Sequence, residues 1–239
     1  AAFRLRQRYA PEAGAAIYIE KNIPLAAGLA GGSSDAAGAI CGLNRLWNLN
    51  LSREEMLEVA SEVGSDVPFC LAGGTALATG RGERVFSLPS LEGCWMVLVT
   101  PPLEVSTARV YQAYRPEYGD SGWDTGRLLA AIEAGDRAGL AECLHNDLER
   151  VTGAWYGEID AVKREMRELG MRGVLMSGSG PTVFGLADDR EQAMRAAGRF
   201  RLRYRDVFVV TTLPPRDPEL DFLGLGDWDE PAAFGAGQA

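Results

Sequence analysis

Pro24-Leu25-Ala26-Ala27-Gly28-Leu29-Ala30-Gly31-Gly32-Ser33-Ser34-Asp35-Ala36-Ala37 is the stretch on which the fold turns. Glycine and alanine let a backbone approach an anion without side-chain clashes. Ala36, Ala37, Ile40, Leu43 and Trp47 then recur at helical spacing, so a helix is expected to open at Ser33. The start of a helix carries unpaired N–H groups and a partial positive charge. Ser33 and Ser34 add hydroxyl donors, and one of them is placed to face a metal ion. Loop and helix start together read as a phosphate cradle. The competing reading is a flexible loop before a serine-capped helix. Asp35 suits the helix dipole but would repel a phosphate, so it is expected to point away and cap the turn. No lysine follows the glycines as a Walker loop requires, and no acidic residue closes a second strand as a Rossmann unit requires.

Upstream, Ile17 and Ile19 alternate within residues 16–21 and predict a strand. Downstream, Ser52-Arg53-Glu54-Glu55 has the spacing of a capping box, Met56, Val59, Ala60 and Val63 form a buried helix face, and Gly64 is placed to end that helix. Gly64-Ser65-Asp66-Val67-Pro68-Phe69 follows. A carboxylate on a stiff turn can orient an alcohol and accept its proton, but Asp66 can equally cap a short helix with Pro68 in its first turn. Short strands broken by glycine are expected up to Phe86.

The pattern changes around residues 89–93, where a domain boundary is expected. Beyond it come a buried-type strand over 95–100, a helix over 107–114, two or three helical stretches between Trp123 and Leu169, strands over 173–177 and 182–186, a helix over 191–200 and a strand over 207–212. That order describes a split β-α-β sheet with helices on one face, an α+β fold. Ser177-Gly178-Ser179-Gly180-Pro181-Thr182 reads either as a hairpin turn or as an anion-binding nest. Val105-Ser106-Thr107-Ala108-Arg109-Val110-Tyr111 reads as a helix cap with an aromatic residue behind it. His145-Asn146-Asp147-Leu148-Glu149 reads as structural capping. Residues 214–239, rich in Pro, Gly and acid, are expected to be disordered.

The 239 residues carry a formal charge of −9 and no basic block, which argues against a nucleic-acid partner. The four cysteines are far apart with no Cys-x-x-Cys pair, and His145 is the one histidine, so a zinc site is not expected. No apolar run reaches spanning length and no signal peptide is visible, so no membrane association and a cytoplasmic location are expected.

The Pro24–Ala37 string resembles the second signature motif of the GHMP kinases. Its doubled glycine before the serines resembles the branch whose substrate is a cytidine-diphosphate-linked polyol. Gly64–Phe69, residues 73–76, residues 80–83 and Ser177–Thr182 resemble further segments of that branch. The resemblance covers residues 1 to about 212. It implies a two-domain fold: a truncated N-terminal part like ribosomal S5 domain 2 over 1–90, and a ferredoxin-like C-terminal domain over 91–213. It implies ATP with Mg2+, and phosphoryl transfer to the 2-hydroxyl of the methylerythritol unit. By resemblance, Pro24 to Ser34 wraps the ATP phosphates and Asp66 is the catalytic base. Thr107 contacts substrate, Tyr111 stacks on cytosine, and Gly178, Ser179 and Gly180 lie near the phosphates. Metal ligands are not assigned, and a monomer or weak homodimer is expected. Other acceptors, homoserine or mevalonate, and a non-catalytic nucleotide-binding role stay open. The branch's early Lys-x-Asn-Leu and Asp-Gly-Tyr-His strings do not occur, and neither Lys21 nor Lys163 replaces the lysine by motif. A truncated chain of reduced activity is therefore expected.

Overall fold

The structure is a computed structural model that describes residues 1–115, 117 and 123–213. The acidic segment 214–239, read above as disordered, lies outside the described residues.

The first part is helical. Helices α1 (Ala2–Tyr9), α2 (Gly31–Leu46), α3 (Arg53–Val63) and α4 (Val67–Ala72) enclose a core of Leu5, Ile40, Met56, Val59 and Val67. The capping box forms as expected. Ser52 Oγ accepts the Glu55 N–H at 3.2 Å, and the Glu55 carboxylate accepts the Ser52 N–H at 2.8 Å. The Ser52 N–H, together with the Ser52 hydroxyl donating to the same carboxylate at 2.9 Å, holds the Glu55 carboxyl below its ordinary value. Strands β1 (Ala76–Thr79) and β2 (Arg84–Ser87) form an antiparallel hairpin against this part.

The second part is a four-stranded sheet in the order β4-β5-β3-β6, with antiparallel neighbours throughout. Its strands are β3 (Trp95–Thr100), β4 (Arg172–Met176), β5 (Val183–Ala187) and β6 (Asp206–Thr211). Helices α5 (Thr107–Ala113), α6 (Thr125–Glu133), α7 (Arg137–Cys143), α8 (Glu149–Trp155) and α9 (Gly157–Glu168) connect β3 to β4, and α10 (Arg190–Phe200) connects β5 to β6. This is the split β-α-β arrangement. Ile159, Val162 and Met166 of α9 and Ala193, Ala197 and Phe200 of α10 bury against Val97, Val99, Val183 and Val207 of the sheet. Leu98 points to the opposite face with Phe208 and Val210. Both faces of β3 are thus apolar, which is why its sequence is a continuous apolar run.

Several local expectations are corrected. Residues 16–21 form no strand, because alternation fixes side-chain direction while a strand also needs a paired neighbour for its backbone groups, and they pair with none among the described residues. Ile17, Tyr18 and Ile19 are exposed there. Helix α2 starts at Gly31, not Ser33, because the Ala30 carbonyl accepts the Ser34 N–H at 2.9 Å and draws both glycines into the first turn. Gly64, by contrast, ends α3 as expected, with extended backbone. Four helices, not two or three, lie between Trp123 and Leu169. Among the described residues, no helix is long and apolar enough to cross a membrane.

Candidate active site

Residues 24–30 cross from the helical part toward the sheet and return into α2. Ala26, Gly28 and Ala30 take positive φ of 50°, 71° and 51°. For alanine this is uncommon and strained, and such alternation of backbone handedness makes N–H groups converge. The N-cap Ala30 offers no side-chain acceptor, so the first N–H groups of α2 stay available to an anion.

The Ser177–Thr182 turn closes on this loop. Ser177 Oγ donates to Gly28 O at 2.8 Å, and the Thr182 N–H reaches Ala27 O at 3.4 Å. The approach is so close that a Cβ on Gly28 would sit 2.2 Å from Ser177 O. Thr107, in the first turn of α5, shares a 2.8 Å hydroxyl contact with Ser179. Behind the turn, Thr100 and Thr182 hydroxyls meet at 2.8 Å, fully out of solvent contact at Thr182.

These elements surround a cleft of about 430 Å3. Residues 24–32 form one wall, Thr107, Tyr111, Gly178 and Ser179 another, and Asp66 and Lys21 also line it. Ser33, Ser34 and Gly180 of the expected set do not line it. The two serines sit in the first turn of α2, and Gly180 closes the turn by donating to Ser177 O at 2.9 Å.

Asp66 is the N-cap residue of α4, yet its side chain makes no capping bond. Its exposed carboxylate is left to the cleft. Asp35 does not cap the α2 turn as expected; it forms an ion pair with Lys21, and both side chains are about one-third exposed (31% and 28%). Lys21 Nζ would lie 3.5 Å from a Cβ on Gly31, so its charge sits at the start of α2. Motif reading set Lys21 aside. The available signal was its rarity, as one of two lysines in a chain rich in Arg, three residues before the loop.

No cluster of three or more His, Cys, Asp or Glu able to hold a metal occurs among the described residues. A Mg2+ ion that arrives with nucleotide is held mostly by phosphate oxygens and water and needs few protein oxygens, so a cleft without such a cluster still fits it.

A loop with alternating positive φ, a carboxylate with no capping bond and the Gly178–Ser179 turn of the sheet part thus line one cleft. Residues 1–74 match the GHMP kinases N terminal domain, and residues 128–206 match the GHMP kinases C terminal domain. ATP use comes with that membership. The 4-diphosphocytidyl-2-C-methyl-D-erythritol kinase of Exiguobacterium sibiricum is 48% identical over 213 residues, covering 89% of this chain and 74% of the relative. That of Pelotomaculum thermopropionicum is 47% identical over 216 residues, covering 90% and 75%. A crystal structure of 4-(cytidine 5'-diphospho)-2C-methyl-D-erythritol kinase superposes with a TM-score of 0.69 at 39% identity, covering 80% of this chain and 68% of that one. Homoserine kinase from Cytophaga hutchinsonii superposes with a TM-score of 0.70 at 22% identity over 82% of this chain and 70% of that one, a likeness of fold alone. The chain belongs to the 4-diphosphocytidyl-2-C-methyl-D-erythritol kinase family of GHMP kinases.

Proposed function

We propose that this protein transfers the γ-phosphoryl group of ATP to the 2-hydroxyl of 4-diphosphocytidyl-2-C-methyl-D-erythritol, a step of the methylerythritol phosphate route to isoprenoid precursors. The observation that carries the reading is the Asp66 carboxylate, which has no capping bond and lines the same cleft as the 24–32 loop. Asp66 orients the acceptor hydroxyl and takes its proton as the new bond to phosphorus forms. Loop N–H groups and the start of α2 hold the transferring phosphates, and Lys21 neutralises the Asp35 carboxylate that would otherwise repel them. Positioning supplies most of the remaining acceleration, because the phosphoryl group itself needs little covalent help. Mg2+ arriving with ATP would be held mainly by phosphate oxygens and water and would supply charge neutralisation along the phosphates, leaving the Asp66 carboxylate to the acceptor hydroxyl.

Thr107 and Tyr111 face the acceptor side of the cleft. Tyr111 is 62% exposed, which leaves its ring face open to stack on a flat base. Residues 1–90 and 91–213 act as two lobes, with the site between them. The small charged substrate suits a cytoplasmic enzyme, acting as a monomer or weak homodimer.

The test is direct. Purified protein is given ATP, Mg2+ and, in separate reactions, the cytidine-diphosphate-linked acceptor, homoserine or mevalonate. Product is followed by phosphorus NMR. Turnover of the first acceptor alone is expected. Turnover of homoserine or mevalonate instead overturns the substrate assignment, and nucleotide binding with no transfer to any acceptor overturns the kinase reading.

A further inference from the structure

The segment between α7 and α8, which sequence reading assigned to helix capping, reaches under the Ser177–Thr182 turn. The Asn146 side-chain amide donates to Met176 O and to Gly178 O, 2.8 Å in each case. Its own oxygen accepts the Leu148 N–H at 3.0 Å. One turn further on, the fully buried Thr152 hydroxyl donates to Ser179 O at 3.0 Å. Glu149 accepts the Met176 N–H at 2.8 Å and forms an ion pair with the buried Lys163. Asn146, Glu149 and Thr152 therefore grip the backbone of Met176, Gly178 and Ser179 from one side.

That grip fixes the orientation of individual peptide planes. The C=O and N–H of a trans peptide point in opposite directions. Met176 O is drawn to Asn146, and the Ser177 N–H on the far side of that peptide finds Thr182 O at 2.8 Å. Ser179 O is drawn to Thr152, and the Gly180 N–H opposite finds Ser177 O at 2.9 Å. Gly178 O is drawn to Asn146 as well, yet the Ser179 N–H opposite has no acceptor among the described residues. Ser179 is only 5% exposed and lines the cleft. A buried N–H without a partner is rare and costly, so one in a cleft marks a donor kept for a ligand. The turn could not hold this plane by itself. Gly178 sits at φ 54° and Gly180 at φ 85°, and glycine rotates freely when nothing restrains it.

We infer that Asn146, seconded by Thr152, is a positioning residue that locks the Gly178–Ser179 peptide with the Ser179 N–H presented to an anionic oxygen of the bound phosphates. The inference rests on the kinase reading above, since that reading supplies the anion. Without Asn146 the peptide can rotate and the donor swings out of register. The groups still bind, but charge developing during transfer loses a fixed dipole.

Asn146→Asp keeps the acceptor for Leu148 and removes both amide donors. Thr152→Val keeps the volume and removes the hydroxyl. Thr152→Ser keeps the hydroxyl. The full chain carrying each change is assayed for kcat and KM, and amide hydrogen exchange at residues 177–180 is measured without ligand. Asn146→Asp and Thr152→Val are expected to lower kcat about 10- to 100-fold. KM for ATP should stay within about threefold of the parent. Thr152→Ser should recover most of the turnover lost in Thr152→Val. Exchange at residues 177–180 should quicken in Asn146→Asp while the sheet core keeps its protection. Unchanged kcat in both impaired variants overturns the inference, as does a Thr152→Ser protein no better than Thr152→Val. If the parent itself transfers no phosphoryl group, the kinase reading fails; the exchange measurement then decides the positioning role alone, and unchanged exchange in Asn146→Asp rejects it.

Discussion

Asp66 had two uses open to it in the sequence, helix cap or catalytic base, and the two leave different traces. A cap spends its side-chain oxygens on the N–H groups of the next turn. Asp66 makes no such bond, and its carboxylate lines the cleft. Asp66→Asn is therefore expected to cost little stability but to lower kcat by about 10²- to 10⁴-fold. Affinity for a non-hydrolysable ATP analogue, measured by calorimetry, should hold within a few-fold. Retention of full turnover would return Asp66 to a capping role. A second readout needs no substrate. The Cys70 thiol is pushed up first by burial and then by the Asp66 charge. Thiolate is the reactive form, so Asp66→Asn should move alkylation of Cys70 to lower pH, as followed by peptide mass spectrometry. Asp66 and residues 24–32, which line the cleft, lie in short consecutive motifs that a family resemblance can single out. Lys21 and Asn146 were not singled out that way. Asn146 acts on carbonyls 30 and 32 residues away, so no spacing in the sequence announces the contact.

Among the elements, the 24–30 loop carries backbone strain in its own alanines. Ala26 and Ala30 occupy left-handed backbone that costs an alanine roughly 1 kcal/mol or more. Ala30→Gly removes the Cβ penalty at a position that also tolerates glycine as a cap, and should raise the unfolding free energy by about 0.5–1 kcal/mol in urea titrations. The opposite holds at Gly28. An added methyl there meets Ser177 O at 2.2 Å, a backbone atom that cannot rotate away, and φ is already positive. Gly28→Ala should destabilise by about 1–3 kcal/mol and open the loop from the turn. A gain in stability would mean that the two segments do not touch in solution. Further along, Ser52→Ala should cost about 1 kcal/mol, because both bonds of the Ser52 hydroxyl at the start of α3 are lost. Glu55 belongs to the same box and has a carboxyl held low in the folded chain, so its share is present at neutral pH and fades as pH falls below its ordinary value of 4.5. Caps, turns and helices of this kind are local and were read from sequence with small errors at their ends. The 16–21 segment was misread because pairing depends on a neighbour that the alternating pattern itself does not encode.

On the scale of the whole molecule, the cleft is shared between two cores of different make. The helical core centres on Leu5, Ile40, Met56, Val59 and Val67, with Ile17, Tyr18 and Ile19 left exposed nearby at 49%, 90% and 52%. The sheet core joins fifteen buried residues into one cluster, all but Met171 and Tyr204 coming from four strands and two helices. Apolar area removed from water is the main source of stability, so the helical core should open at lower free energy than the sheet. What joins them at the site is slender: Ser177 Oγ to Gly28 O, Thr182 N–H to Ala27 O, and the walls of the cleft. A nucleotide held by the 24–32 loop and by the Gly178–Ser179 turn would touch both cores at once. Binding stabilises whatever must be intact to bind, by about 2.7 kcal/mol at a ligand concentration of 100 Kd. Amide hydrogen exchange of α2 and α3 in the unliganded protein should accordingly be faster than that of β3. A saturating ATP analogue should slow exchange in α2, α3 and β3 together, and raise the helical core toward the stability of the sheet. Slowing confined to residues 24–34 would place the nucleotide on the helical part alone, and the turn at Ser177–Thr182 would then have no share in holding it.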